Sequence, residues 1–130
     1  MLRRFILIAA LSAVATVAAA GGTEKKKGGG ETFIQLPTLT ATVQRADLGR
    51  GVMTVELGVD VPDPTLRRRA QASIPLLRDA YLREMLIYAP SIAPGSPPNP
   101  DQIANRLQQA TDRTLGKPGA RVLLGSILIN

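Results

Sequence analysis

The sequence predicts an α+β (mixed α/β) domain in which one sheet carries helices packed on one face. Two stretches alternate apolar and polar residues with the period of a half-buried strand, and two longer stretches repeat apolar residues every three or four positions, as amphipathic helices do. An apolar run closes the chain. The expected order is β-β-α-α-β, preceded by an N-terminal hydrophobic helix and a flexible tether.

The first strand is expected between Phe33 and Val43. The second, between Met53 and Val61, has the clearest alternation, because every second residue is apolar. The segment 47–51 (DLGRG) between them is rich in turn residues. The two strands should therefore form an antiparallel hairpin with one face buried.

A long helical pattern follows from Asp63, an N-cap, and Pro64, at the first helical position, to Tyr88. Pro75 lies inside this pattern, so the helix should kink or restart there, with Ser73 as a local cap.

The remaining elements follow a Pro-rich surface loop, 89–100 (APSIAPGSPPNP), for which no regular structure is expected. Asn99 and Pro100 repeat the cap-plus-proline start, and this second helix should end at Gly116. The run from Val122 to Ile129 is apolar on both faces. Such a strand is covered on both sides or lies at an interface.

Residues 1–22 predict export, because Arg3 and Arg4 precede an apolar run from Phe5 to Ala20. Two outcomes stay open. The small residues Ala18 and Ala20 favour cleavage as a signal peptide, whereas retention would make the segment a membrane anchor. The sixteen residues from Phe5 to Ala20 span about 24 Å as a helix, less than the ~30 Å hydrocarbon core.

Residues 23–31 are expected to form a flexible Gly/Lys linker, and residues 32–130 the folded domain. Two interpretations of Lys25, Lys26 and Lys27 remain, simple spacing or contact with anionic lipid headgroups. The chain is thus expected on the periplasmic side of the bacterial inner membrane if anchored, or in the soluble periplasm if cleaved.

The composition excludes several classes of chemistry, because the chain has no Cys and no His. Disulfides, thiolate metal sites and His-dependent catalytic triads are all ruled out. The formal charge is +6, but from Gly21 onward fourteen basic and ten acidic residues leave +4. Such a surface suits anionic lipid or cell-wall polymer, and no nucleic-acid partner is expected.

Paired carboxylates are the remaining catalytic possibility, and each candidate has a simpler structural explanation as a cap, turn, strand-face or ion-pairing residue. The candidates are Asp47, Glu56, Asp60, Asp63, Asp79, Glu84, Asp101 and Asp112. We therefore expect no enzyme, no catalytic, cofactor-binding or metal-binding residues and no cofactor. The helix arginines Arg67, Arg68, Arg69, Arg78 and Arg83 are expected on a solvated face, the alternative being an anion site.

Several segments carry a family resemblance. They are the hydrophobic segment with its Gly/Lys tether, FIQLPTLTATV (33–43), LGVDV (57–61), IPLLRDAYL (74–82), the helix from Arg106 to Gly116, and VLLGSILIN (122–130). In this order they resemble the flagellar basal body-associated FliL family over nearly the whole chain.

The resemblance implies a periplasmic domain similar in fold to stomatin-type domains, which assembles into rings around flagellar stator units and supports their activation. The implied partners are further copies of the chain in a ring, flagellar stator proteins, and the inner membrane through an uncleaved N-terminal segment. The final strand and the basic helix are the expected contact regions, and no family motif designates individual contact residues.

A second function class stays open beside this one. The chain would then be a free periplasmic accessory domain that binds an anionic envelope polymer, through Arg67 to Arg69 and their neighbours, or another envelope protein.

Overall fold

The computed structural model describes residues 30–130, which form four antiparallel strands and three α-helices. The strands are β1 (Phe33–Gln35), β2 (Leu39–Gln44), β3 (Arg50–Asp60) and β4 (Arg121–Ile129), and the helices are α1 (Pro64–Ala72), α2 (Ile74–Tyr88) and α3 (Pro100–Leu115). The predicted mixed α/β class, with one sheet and helices on one side of it, is confirmed. The predicted export segment and nearly all of the linker lie outside the described residues.

β3 is the central strand of the sheet and pairs with all three others. Asp60 pairs with both Phe33 of β1 and Arg121 of β4, so these two strands lie on opposite edges of β3. Val55 pairs with Leu39 of β2 on one side and with Ile127 of β4 on the other. β2 therefore lies along the same edge of β3 as β1. β4 is consequently an edge strand of this sheet.

The first predicted strand is interrupted at Pro37. Gln35 pairs with Gly58 and Leu39 pairs with Val55, so three residues of this strand oppose two residues of β3. Proline has no N–H to donate, which explains why the ladder breaks there. Leu36 keeps the two halves aligned, because its N–H donates to the Leu57 carbonyl at 3.1 Å.

The predicted β2–β3 hairpin is present, but a glycine does not supply the left-handed residue of its turn. The backbone N–H of Leu48 donates to the Arg45 carbonyl at 2.8 Å, and the backbone N–H of Arg45 donates to the Gly49 carbonyl at 2.8 Å. Leu48 has a φ of 66°, so the left-handed residue is Leu48 and not one of the neighbouring glycines.

The hydrophobic core lies between the sheet and the helices. Alternate residues of β2 and β3 point into it, and α2 and α3 cover them with one apolar face each. The largest fully buried side chains include Tyr81, Leu77 and Met85 of α2, and Ile103, Leu107 and Leu115 of α3.

The predicted long helix restarts at Ser73, which separates α1 from α2. Ser73 occupies the predicted cap position at the start of α2, although its side chain makes no capping hydrogen bond. Asp63 does cap α1, because its carboxylate accepts from the N–H of Leu66 at 2.8 Å.

α3 begins and ends where the sequence predicts. The side chain of Asn99 accepts from the N–H groups of Asp101 and Gln102, and Gly116 ends the helix with a φ of 82°. The preceding Pro-rich loop contains one short 3₁₀ turn, Ala89–Ser91, where no regular structure was expected. Within residues 30–130, none of the helices has the length and apolar character needed to cross a membrane.

Candidate interaction surface

β4 presents an unpaired backbone edge within the described part of the chain. Asn130 and Val52 exchange two backbone hydrogen bonds, of 3.0 and 3.2 Å, at the end of the β3–β4 ladder. Because alternate residues of an antiparallel strand direct their backbone groups to opposite edges, Ile129 and Ile127 direct theirs away from β3. Protected edges usually carry lysine, proline or several charges, and β4 has one charged residue, Arg121.

A bulge is the one protective device that β4 does have. The pairing of β3 with β4 shifts register between Val55 and Leu57, which leaves Gly125 and Ser126 opposite Glu56. Ser126 donates its hydroxyl to the Glu56 carboxylate at 3.1 Å. The bulge divides β4 into two short pairing segments.

Among residues 30–130 no helix covers the outer face of the sheet, and the β4 side of that face is apolar. Leu128, Val52 and Leu123 are 58, 46 and 39 % exposed, respectively. On the β2 side of the same face the exposed residues are instead Thr40, Thr42 and Gln44. Of the two alternatives predicted for β4, cover on both sides is not found within residues 30–130, because Leu123 and Leu128 are exposed on the outer face. A position at an interface stays a prediction. We call Val52, Leu123 and Leu128 the β4 apolar surface.

A shallow depression of about 360 Å³ lies beside this surface, lined by Phe33, Gly58 and Leu123 among others. Gly58 is required there, since a Cβ built on it would lie 2.2 Å from Cζ of the Phe33 ring. The ring thus lies across the Gly58 backbone on the outer face.

A second depression, of about 410 Å³, opens at the other end of β4 on the helix side. Ile127 and Ile129 form one wall, and Ile92 and Pro97 of the Pro-rich loop contribute to the other. Apolar surface is therefore accessible on both sides of the second half of β4.

α2 also exposes apolar residues, because Leu76, Leu86 and Ile87 are each more than 60 % exposed. The Asp79–Arg83 ion pair lies between Leu76 and the other two along the same helix. Polar groups also interrupt the β4 apolar surface, where Glu56 and Ser126 lie between Leu123 and Leu128. The β4 apolar surface differs from the helix face in lying beside the unpaired edge of β4.

The helix arginines predicted to be solvated divide into three groups. Arg67 is tied to the fold, since its guanidinium donates to the carbonyls of Val61 and Pro62 at 2.9 and 3.1 Å. Arg83 pairs with Asp79. Arg68, Arg69 and Arg78 are exposed and make no ion pair with a residue between 30 and 130.

Glu84 joins the two long helices. Its carboxylate pairs with Arg106 and with Arg113 of α3, both at 3.3 Å, and the guanidinium of Arg106 lies 5.5 Å from the centroid of the Tyr88 ring. The Glu84 side chain is 17 % exposed, so these ion pairs are better shielded from solvent than the Asp79–Arg83 pair.

Most of the carboxylates considered for catalysis are occupied by local structural contacts. Arg45 and the N–H of Gly49 hydrogen-bond to Asp47 and lower the pKa of its exposed carboxyl. Asp60 accepts from the Thr32 hydroxyl, and Asp112 accepts from the Gln108 side chain at 3.0 Å. In the described part of the chain no three His, Cys, Asp or Glu residues cluster in a way that could hold a metal ion.

No protein-family model matches the chain, and no curated protein matches it. The support for a function therefore comes from the surfaces described above and from the segments that resemble the FliL family.

Proposed function

We propose that this chain is a non-enzymatic, FliL-like scaffold that supports the stator in bacterial flagellar motility. The observation that carries the proposal is the β4 apolar surface, which within residues 30–130 lies on an uncovered sheet face next to an unpaired strand edge. A surface of this kind suits protein contacts, because binding would cover apolar side chains and complete the backbone hydrogen bonding of the edge.

The position of β4 fits the resemblance, since the final strand is one of the two regions in which contacts were expected. A stable contact buries about 800 Å² on each partner, more than three side chains supply. The contact would therefore extend over the Phe33 side of the outer face or around the edge toward Ile127 and Ile129. The proposed partners are further copies of the chain in a ring and the flagellar stator proteins, at the periplasmic side of the inner membrane.

A second candidate function is a free periplasmic accessory domain that binds an anionic envelope polymer. It is favoured by Arg68 and Arg69, which are exposed on α1 and have no acidic partner among residues 30–130. This candidate requires a cleaved, monomeric chain whose polymer binding falls steeply with salt. An anchored chain that forms rings would contradict it.

The test of the leading proposal is deletion of the gene, followed by measurement of soft-agar swimming and a count of flagellar filaments. The deletion strain should keep its filaments and swim poorly, and the full-length chain should restore swimming. The double variant Leu123→Glu/Leu128→Glu should not restore it, because two carboxylates would replace apolar side chains on the β4 apolar surface.

Thr40→Glu/Gln44→Glu is the matched control, as it adds the same charge to the polar side of the same sheet face, at positions that pair with Thr54 and Arg50. This variant should restore swimming. Normal swimming and filament numbers in the deletion strain would contradict the stator role. Full rescue by Leu123→Glu/Leu128→Glu at normal protein levels would contradict the assignment of the contact to β4.

A further inference from the structure

The chain enters the folded domain beside the start of α1. The carbonyl of Thr32 accepts from the N–H of Val61 at 2.9 Å, and Val61 is followed directly by Pro62 and the N-cap Asp63. Residue 30, where the described chain begins, and the first turn of α1 therefore lie at the same end of the domain. We call this end the tether end.

Basic residues from three separate elements gather at the tether end. Arg68 and Arg69 are exposed on α1, and Lys117, which follows α3, lines one depression together with Arg69 and Thr65. Arg121 begins β4 opposite Asp60, the last residue of β3. We call Arg68, Arg69, Lys117 and Arg121 the basic surface.

The carboxylates at this end do not neutralise the basic surface through ion pairs. Asp63, which lines the same depression as Arg69 and Lys117, accepts from the N–H of Leu66, and Asp60 accepts from the Thr32 hydroxyl. Glu31 is exposed and forms no ion pair with a residue between 30 and 130. None of the four basic side chains lies within ion-pairing distance of a carboxylate among residues 30–130. Within the described part of the chain, no ion pair therefore neutralises these four charges.

The tether end is also the end nearest the hydrophobic N-terminal segment. Nine residues separate Ala20 from residue 30, and a chain of that length reaches at most about 30 Å. The opposite end of β3 lies about 34 Å farther away, as eleven residues of strand are that long. Since the Debye length at physiological salt is about 8 Å, the basic surface would interact with a bilayer when the tether end faces it, and charges at the far end of β3 would then be screened.

We propose that in the uncut chain the basic surface docks the domain on the anionic lipid headgroups of the membrane that holds the N-terminal segment. The ligand is the phosphate-bearing headgroup layer, and docking sets which end of the domain faces the bilayer. A soluble polymer is the weaker candidate, because the covalent attachment already holds the basic surface close to the lipid. The inference does not require the stator role.

The test uses the full chain in nanodiscs and exploits its lack of cysteine, which makes any introduced cysteine a unique labelling site. One donor fluorophore is placed through Thr65→Cys, at the tether end. Another is placed through Ser96→Cys, in the Pro-rich loop, where the adjacent Gly95 donates to the Gln44 carbonyl at the opposite end of the sheet. Energy transfer to headgroup-labelled acceptor lipid is measured in phosphatidylcholine discs with and without phosphatidylglycerol.

Energy transfer from the label at position 65 should rise when phosphatidylglycerol is present, and it should then exceed the transfer from the label at position 96. It should fall as the salt concentration is raised from about 0.15 M to about 1 M. Arg68→Gln/Arg69→Gln/Lys117→Gln should lower the ratio of docked to undocked domain about fivefold per charge removed. Arg67 is left in place because it bonds to the Val61 and Pro62 carbonyls. The matched control, Arg45→Gln/Arg50→Gln/Arg83→Gln, removes the same charge from elsewhere and should dock like the parent.

Equal energy transfer in discs with and without phosphatidylglycerol would overturn the proposal, as would a triple variant of the basic surface that docks like the parent at equal thermal stability. Equal loss of docking in the matched control would show that only net charge matters and would also overturn it. If soluble polyglutamate binds the chain as tightly as the anionic discs do, the surface is a general polyanion site and lipid docking is overturned.

Discussion

The hydroxyl of Tyr81 on α2 lies 2.6 Å from Oγ1 of Thr111 on α3, and both side chains are fully buried. Thr111 also donates to the backbone carbonyl of Leu107 at 2.7 Å. A threonine hydroxyl has one proton, so Tyr81 must be the donor in the Tyr81–Thr111 pair. The hydrogen bond is therefore directional and joins the two long helices inside the core.

This direction predicts unequal effects of removing the two hydroxyls. Tyr81→Phe should lower the free energy of unfolding by about 1 kcal/mol, because Thr111 keeps its bond to Leu107. Thr111→Val should cost more, about 1–3 kcal/mol, because the Tyr81 hydroxyl is left buried without an acceptor. The double variant should cost less than the sum of the two. Urea denaturation measures all three, and additive effects would contradict the bond.

The same tyrosine predicts how stability changes at alkaline pH. Burial raises the pKa of Tyr81, and the nearby Asp112 charge adds to the rise. Tyrosine in the unfolded chain ionises near pH 10, before Tyr81 does in the folded chain, so above about pH 10 the unfolded state binds fewer protons. The stabilisation is complete below about pH 10 and is lost as the pH rises through the folded pKa.

The urea midpoint should therefore fall more steeply above pH 10 in the parent chain than in Tyr81→Phe. The difference between the two curves isolates Tyr81, because every lysine and arginine is common to both chains. Parallel curves from pH 8 to pH 11 would show that Tyr81 does not contribute to alkaline unfolding.

The order of elements and their caps could be predicted from sequence, because those signals are local. Asp63, Asn99 and Gly116 act within one helical turn of themselves, and all three occupy the predicted positions. The alternation along β3 also predicted its buried face, since the strand period is two whatever the partner strand.

What could not be predicted depends on long-range pairing. Nothing in the local pattern shows that β4 lies at the sheet edge, or that its Leu128 faces solvent, because both follow from the pairing of β4 with β3. The Tyr81–Thr111 bond likewise depends on how α2 lies against α3. The grouping of basic residues at the tether end could not be predicted either, because it depends on how α1, the loop at Lys117 and β4 are placed relative to residue 30.

The contact of Phe33 with Gly58 predicts a coupled pair on the outer sheet face. Gly58→Ala should destabilise the domain by about 1–3 kcal/mol, because the new methyl group would overlap the Phe33 ring and lie 2.6 Å from the Ile34 carbonyl oxygen. Phe33→Ala should relieve only the overlap with the ring. Thermal unfolding of the double variant should therefore show a smaller loss than the sum of the single losses, and full additivity would contradict the contact.

The β4 apolar surface predicts an effect on association without an effect on folding. Leu123→Glu/Leu128→Glu should reduce the self-association of the chain, measured by sedimentation at several concentrations, because charged groups would have to be desolvated in the contact. The melting temperature should change little, since both side chains are exposed. Thr40→Glu/Gln44→Glu should leave association unchanged, and equal effects of the two variants would contradict an interface specific to β4.

The hairpin turn predicts a stabilising substitution at Leu48. A left-handed φ of 66° brings the Cβ of leucine close to its own carbonyl, a cost that glycine does not have, and the Leu48 side chain is 67 % exposed, so it contributes little packing. Leu48→Gly should raise the free energy of unfolding by up to about 1 kcal/mol. Leu86→Gly is the matched control, because Leu86 is 63 % exposed but lies in α2, where glycine costs about 1 kcal/mol relative to alanine. The two substitutions should therefore shift the urea midpoint in opposite directions, and a loss of stability from both would show that Leu48 is not strained.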